Sequence, residues 1–359
     1  MLGRGFALPV VALVLSLAGT TQALAAGQRT FVASYGDDGN PCTLQLPCRA
    51  FRFAIPKTNP GGEVVVLDSA GYGPVTITQS VSIIAPPGVY AGMSPFPGED
   101  GVTVAAAAND KVVLRGLTIN GQGGNRGIVV SSGGEVHIEN CTVANMGLNG
   151  IEITGGGHIH LRSSVVRGNG WSGLVVAASS ATVQVSDTQF ARHTYNGIQV
   201  IAGTLEANRI AADDNAIGVF LANPSAGAQA RVTLSDSVVS GNSNAGAIVQ
   251  TSIAGSTARM AIVRSTSTGN ANDGFGAYSV GGVGTAILLV SDSTAFRNGY
   301  GLAASGAGAT AIGTRSTFAF NTVHDVFQGA SAVLRTAGNN TLTGTGADTS
   351  GSFVANPLF

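Results

Sequence analysis

Eight glycines divide this chain at near-regular intervals, and that recurrence limits its folds more than any other feature. They are Gly127, Gly150, Gly173, Gly197, Gly218, Gly246, Gly274 and Gly301, separated by 23, 23, 24, 21, 28, 28 and 27 residues. The segments "EVHIENCTVANMGLNGIEI", "HIHLRSSVVRGNGWSGLVV" and "RVTLSDSVVSGNSNAGAIV" share one layout: short apolar runs of period two with Gly, Ser and Asn at the corners. No segment carries a helical period of useful length.

A unit of this size holding three short strands closes one turn of a coil. Stacked coils bury Val, Ile, Leu and Ala in a continuous core and pair each strand with its copies above and below. The expected fold is all-β: a single-stranded, right-handed parallel β-helix, or solenoid. A propeller is the rival, but its blades need about 40 residues. The expected divisions are a signal peptide at 1–25, an N-terminal strand and capping helix at 26–60, the β-helix at 61–336 and a closing segment at 337–359.

The opening "TFVASYGDDGNPCTLQLPCRAFRFAI" (Thr30 to Ile55) resembles that of secreted, pectate-lyase-like β-helix proteins. The resemblance implies an extended strand, a Gly-Asp-Asn-Pro turn and a short amphipathic helix, near Cys48 to Ile55, that caps the first coil and shields a sheet edge. Relatives often have glycine and an aromatic residue where Cys42 and Cys48 stand, which implies a disulfide here. The likeness is one of architecture and names no substrate. The Asn-Thr-Asp, Gly-His-Gly and Arg-Ile-Lys motifs of polygalacturonases are missing, as are the pectate-lyase and alginate-epimerase signatures.

Arg4, the apolar run Ala7 to Ala18 and "ALA" at 23–25 read as an export signal. The apolar run is too short to span a bilayer, and no later stretch is longer. A secreted or periplasmic product is expected, with no membrane span after cleavage. Export also favours a Cys42–Cys48 disulfide over a metal site. Cys141 falls at an apolar position and reads as a buried thiol. The net charge of −1 and 10% charged residues leave no basic stripe, so no nucleic-acid partner is expected.

Coils about 4.8 Å apart turn the repeat alignment into a surface map. Two positions before each glycine stand Asn125, Leu148, Trp171, Tyr195, Ala216, Asn244 and Asn272. Four before stand Gly123, Met146, Asn169, His193, Asp214, Asn242 and Asn270, and five before, Arg192 precedes Asp213. Asn169, Trp171, Arg192, His193, Tyr195, Asp213 and Asp214 are therefore expected at one corner. Trp171, Tyr195 and Asn169 form a candidate saccharide platform. Arg192, His193, Asp213 and Asp214 are the candidate catalytic set, with His193 beside Asp214 as an oriented acid or base. The plainer alternative has the aromatics covering an apolar corner and the charges forming a surface pair of little value.

On another face His137, His160, Gln184 and Glu206 should line up outward, beside a ladder of Arg115, Glu139 and Arg162. Two stacked histidines can bind a transition metal, but without a third ligand the site is weak; a solvent-facing polar ladder is the expected reading, and no metal is expected. Asp37 and Asp38 are too few for a calcium cage, and His324-Asp325 lacks a nucleophile motif. Three functions stay open: polysaccharide binding without turnover, a polysaccharide lyase or glycoside hydrolase with a non-standard site, and a surface scaffold or adhesin.

Overall fold

Each repeat folds as three short strands separated by tight corners, and each strand lies on the equivalent strand of the next repeat. The computed structural model describes residues 27–355 apart from 224, 228 and 345–347. The expected signal segment, 1–25, lies outside the described residues. The strands assemble into three parallel sheets of 14, 12 and 12 strands. Together they wind a right-handed parallel β-helix of about 11 turns.

The register is strict through the middle coils. In the first sheet Val136 pairs with Ile159 and Ile138 with Leu161. In the third sheet Leu174 pairs with Ile198 and Val176 with Val200. All these side chains are buried. Alternation along a strand sends the intervening residues to solvent, so one pattern of period two fixes both core and surface.

The recurring glycines are required by close approach. A Cβ on Gly173 would lie 2.5 Å from the carbonyl oxygen of Gly197 and 2.6 Å from Nε2 of His193. Any side chain there would push adjacent coils apart.

At the first end, Phe51–Ala54 form one helical turn that continues as a 3₁₀ turn, Ile55–Lys57. Phe51 and Ile55 are buried against the first coil, Phe51 with its ring 5.2 Å from that of Tyr72. Asp38 holds the entry to this turn, its Oδ1 accepting the backbone N–H of Arg49 and of Ala50 at 3.0 and 2.9 Å. Oδ1 of Asp37 accepts the N–H of Gly39 at 2.7 Å. The Cys42–Cys48 disulfide ties the same loop, and Cys141 is a buried thiol whose pKa burial pushes up to about 11. At the other end, Thr341–Thr343, Thr349–Ser350 and Phe353–Ala355 add one strand to each sheet.

Two polar ladders run along the corners. Inside, Asn215, Asn242, Asn270 and Asn298 each accept a backbone N–H from the preceding coil, for example Asn242 N–H to Asn270 Oδ1 at 3.0 Å. They satisfy backbone donors that the bends leave free. Outside, Asp187, Arg209, Asp236, Arg264, Asp292 and Arg315 all adopt positive φ. Arg209 grips Asp187, Arg264 grips Asp236 and Arg315 grips Asp292 through paired bonds of 2.7–2.8 Å. These exposed pairs contribute little stability each; alternating charge penalises a slipped register.

Candidate functional site: an aromatic corner and the polar row beside it

The corner that leads into the third sheet has a fixed plan. After Val165–Arg167, Gly168 takes positive φ and turns the chain; after Gln189–Ala191, Arg192 does the same at φ 58°. The next residue, Asn169 or His193, points inward and is buried. Two residues later, Trp171 and Tyr195 point out.

Backbone bonds hold these two in line. The N–H of Trp171 donates to Leu148 O and that of Tyr195 to Trp171 O, both at 3.0 Å. The same bonding continues to Ala216, Asn244 and Asn272, the row expected from the glycine spacing. The rings meet edge to face with centroids 6.1 Å apart, and each residue is 54% exposed. Over half of two large apolar side chains thus stays in water.

The expected catalytic grouping does not form. His193 belongs to the inner asparagine ladder: Nδ1 accepts the backbone N–H of Asn169 at 3.2 Å, and Nε2 donates to Val166 O at 3.1 Å. Its own N–H donates to Asn215 Oδ1, so its ladder neighbour is Asn215, not Asp214. Burial drops the imidazole pKa to about 4, which keeps it neutral. Asp214, at φ 56° and exposed, is instead the counterpart of Arg192. Asp213 lies in the strand Ala211–Asp213, opposite Ala191 and Ser240, and accepts a bond from Ser240 Oγ. The cause is a shorter turn: two residues separate Asn215 from Gly218 where three separate His193 from Gly197. Asn169 is a second correction. It is 1% exposed, and Oδ1 accepts the N–H of Met146 at 3.0 Å, so it cannot reach a ligand beside Trp171.

A polar row runs one position before the recurring glycines, through Arg126, Asn149, Ser172 and Asn196, and Asp100 before Gly101 extends it by one coil. Arg126 binds Asp100 through two bonds, Nε–Oδ1 at 3.0 Å and Nη2–Oδ2 at 2.9 Å, and its Nη1 lies 3.6 Å from Glu152 Oε2. The Asp100 bond is the main reason the guanidinium pKa is raised. Asn149 Nδ2 donates to the same Glu152 oxygen at 2.9 Å, and Asn149 Oδ1 accepts the N–H of Ser172 at 3.1 Å. Ser172 Oγ and Asn196 Nδ2 converge on Gln199 Oε1 at 3.5 and 3.3 Å. A network therefore runs from Asp100 to Gln199 past the neighbours in sequence of Trp171 and Tyr195. The repeat alignment carries this row one residue before the glycines, a position that the rows two, four and five before do not sample.

On the first sheet, His137 pairs in register with His160, His160 with Gln184 and Gln184 with Glu206. The two imidazoles stack with centroids 4.7 Å apart. Glu139 pairs with both Arg115 and Arg162, 2.8 Å from the first and 4.0 Å from the second. Glu135 joins this face beside His137, and bonds to His137 and then Lys111 hold its carboxyl far below the usual range. A shallow groove of about 310 Å³ lies alongside, lined by His160, Arg162, Gln184, Glu206 and Asn208. Near the last coils the His324 ring packs against Phe327 and Tyr300, while Asp325 is buried and accepts from Asn321, its carboxyl raised by burial.

A family model described as a right-handed beta helix region matches residues 100–258. Pectate lyase Pel9A is 14% identical with a TM-score of 0.53, covering 91% of this chain and 80% of that one. The Dettilon tailspike protein gp208 is 12% identical with a TM-score of 0.52, covering 89% and 68%. Tailspike protein 2 of the Escherichia coli O157:H7 bacteriophage CAB120 is 10% identical with a TM-score of 0.57, covering 73% and 40%. No curated protein matches the sequence. At these identities the likeness is one of fold.

Proposed function

We propose that this protein is a polysaccharide-binding β-helix whose site is the corner carrying Trp171 and Tyr195. The observation that carries the reading is the exposed aromatic pair on adjacent coils, with centroids 6.1 Å apart and a polar row alongside. Aromatic faces meet the apolar face of a sugar ring, and a few placed polar groups bind its hydroxyls. Gln199 is the nearest such group left partly open, with Ser172 and Asn196 buried behind it and bonded to its Oε1. A pectate lyase and phage tailspikes share the fold, which agrees with a polysaccharide partner. The disulfide suits an oxidising compartment outside the cytoplasm, secreted or periplasmic. Among the described residues no helix is long and apolar enough to cross a membrane.

The enzyme reading is second and now rests on different residues. Asp100 and Glu152 flank Arg126, and two carboxylates near a sugar are the usual equipment for glycoside hydrolysis. Both are engaged with the guanidinium, which favours binding over turnover.

A glycan array run with wild type and the Trp171→Ala/Tyr195→Ala double variant tests the proposal. Unsaturated products and reducing ends are read in parallel. Binding that disappears in the double variant supports it, and product formation promotes the enzyme reading. No binding to acidic or neutral glycans removes it and leaves the scaffold reading.

A further inference from the structure

Three of the chain's five histidines occupy one small block of the first sheet. Glu135 and His137 project outward from Glu135–Glu139, because Val136 and Ile138 between and beyond them are buried. His158 and His160 project outward from the adjoining Gly157–Arg162 for the same reason, with Ile159 and Leu161 buried. The register sets Glu135 opposite His158 and His137 opposite His160. Four side chains with nitrogen or oxygen donors therefore stand at the corners of one square on a rigid ladder.

The donor atoms of Glu135, His137 and His160 already lie within 4.8 Å of one another. A tetrahedral zinc ion with ligands at about 2.0–2.2 Å needs them roughly 3.4 Å apart, a closure within reach of side-chain torsions. Nε2 of His137 and Oε1 of Glu135 are 2.5 Å apart and share a proton that a metal ion can replace. Glu139 Oε1 lies 3.7 Å from Nδ1 of His137. Once a metal ion replaces the proton at Nε2, the remaining ring proton sits on Nδ1, facing that carboxylate. His158, in register with Glu135 and exposed, stands at the fourth corner. Two or three imidazoles with one carboxylate suit zinc, nickel or copper and not calcium or magnesium, which prefer oxygen cages.

We propose that Glu135, His137 and His160, with His158 beside them, form a binding site for a divalent transition-metal ion that clasps two adjacent coils. The site lies on a different sheet from the aromatic corner and does not depend on it.

The test is calorimetric titration of tag-free protein with zinc chloride, and separately with nickel chloride, in a non-coordinating buffer. One ion per chain is expected, with affinity falling at least tenfold in Glu135→Gln and lost in His137→Gln/His160→Gln. These residues project outward, so both variants should keep the wild-type far-ultraviolet spectrum, and zinc should raise the melting temperature of wild type but not of the double variant. No saturable zinc or nickel binding by wild type would overturn the proposal. So would undiminished affinity in the double variant, or calcium binding that depends on the same residues.

Discussion

The backbone N–H of Asn169 donates to Nδ1 of His193, 3.2 Å away on the next coil, and that bond turns a candidate catalyst into a structural residue. The imidazole does the work that an asparagine amide does at Asn215, Asn242 and Asn270. It must be neutral to accept the bond.

That requirement has a pH signature. Burial lowers the folded-state pKa of His193 from 6.5 to about 4. Its contribution is complete above pH 6.5, falls as the unfolded chain takes up a proton, and is gone near pH 4. The shift corresponds to a loss of order 3 kcal/mol across that window. Buried Asp273 acts in the opposite sense: its pKa rises from 3.8 to about 6, which adds stability as the pH falls from 6 toward 3.8. The comparison must therefore be with a variant. His193→Asn should have near wild-type stability at pH 7 and lose less than wild type between pH 6.5 and 4, read as urea midpoints. His193→Ala should cost about 1–3 kcal/mol at pH 7 for the unpaired N–H. Parallel pH profiles for wild type and His193→Asn would refute the neutral-ladder role.

The repeat made most of this fold legible. Gly127, Gly150, Gly173 and Gly197 recur at 23 or 24 residues, so rows counted back from them place Trp171 beside Tyr195. The same count fails at Gly218, where the coil has only 21 residues and one of those missing comes from the turn before the glycine. A row counted from the glycine then reads Asp214 where the ladder holds Asn215. Depth was the second difficulty. Asn169 and Trp171 are two residues apart in a polar turn, yet one is buried and the other exposed, because positive φ at Gly168 turns the chain before Asn169. The Asp100–Arg126–Glu152 cluster joins residues far apart in sequence: the first two stand just before a glycine, and Glu152 comes from the strand after one. Glu135 joins the histidines only through its side chain, which reaches along the strand to His137 from the neighbouring outward position.

The N-terminal cap depends on its cross-link. Cys42 and Cys48 close a loop of sequence separation 6 under the turn Phe51–Ala54. Reduction should cost about 2–3 kcal/mol and lower the melting temperature. Thiol counting on unfolded, unreduced protein should find Cys141 alone; three free thiols would refute the bridge.

The continuous core predicts a severe response to a buried charge. Val176 and Ile198 are fully buried on neighbouring coils of the third sheet. Val176→Asp or Ile198→Asp leaves a carboxylate with no partner among apolar side chains. Neither variant should yield soluble protein with the wild-type melting transition. A folded, soluble Ile198→Asp would contradict the inward assignment.

The proposed role of Trp171 as half of a sugar platform has a direct optical test, because the chain contains a single tryptophan. Its emission reports on that corner alone. Titration with acidic and neutral oligosaccharides should give a saturable blue shift for the glycan that binds, as the sugar displaces water from the exposed indole, and Tyr195→Ala should weaken the midpoint at least tenfold. Emission that stays at the position of an exposed indole with every glycan, including any that the protein demonstrably binds, would contradict the claim.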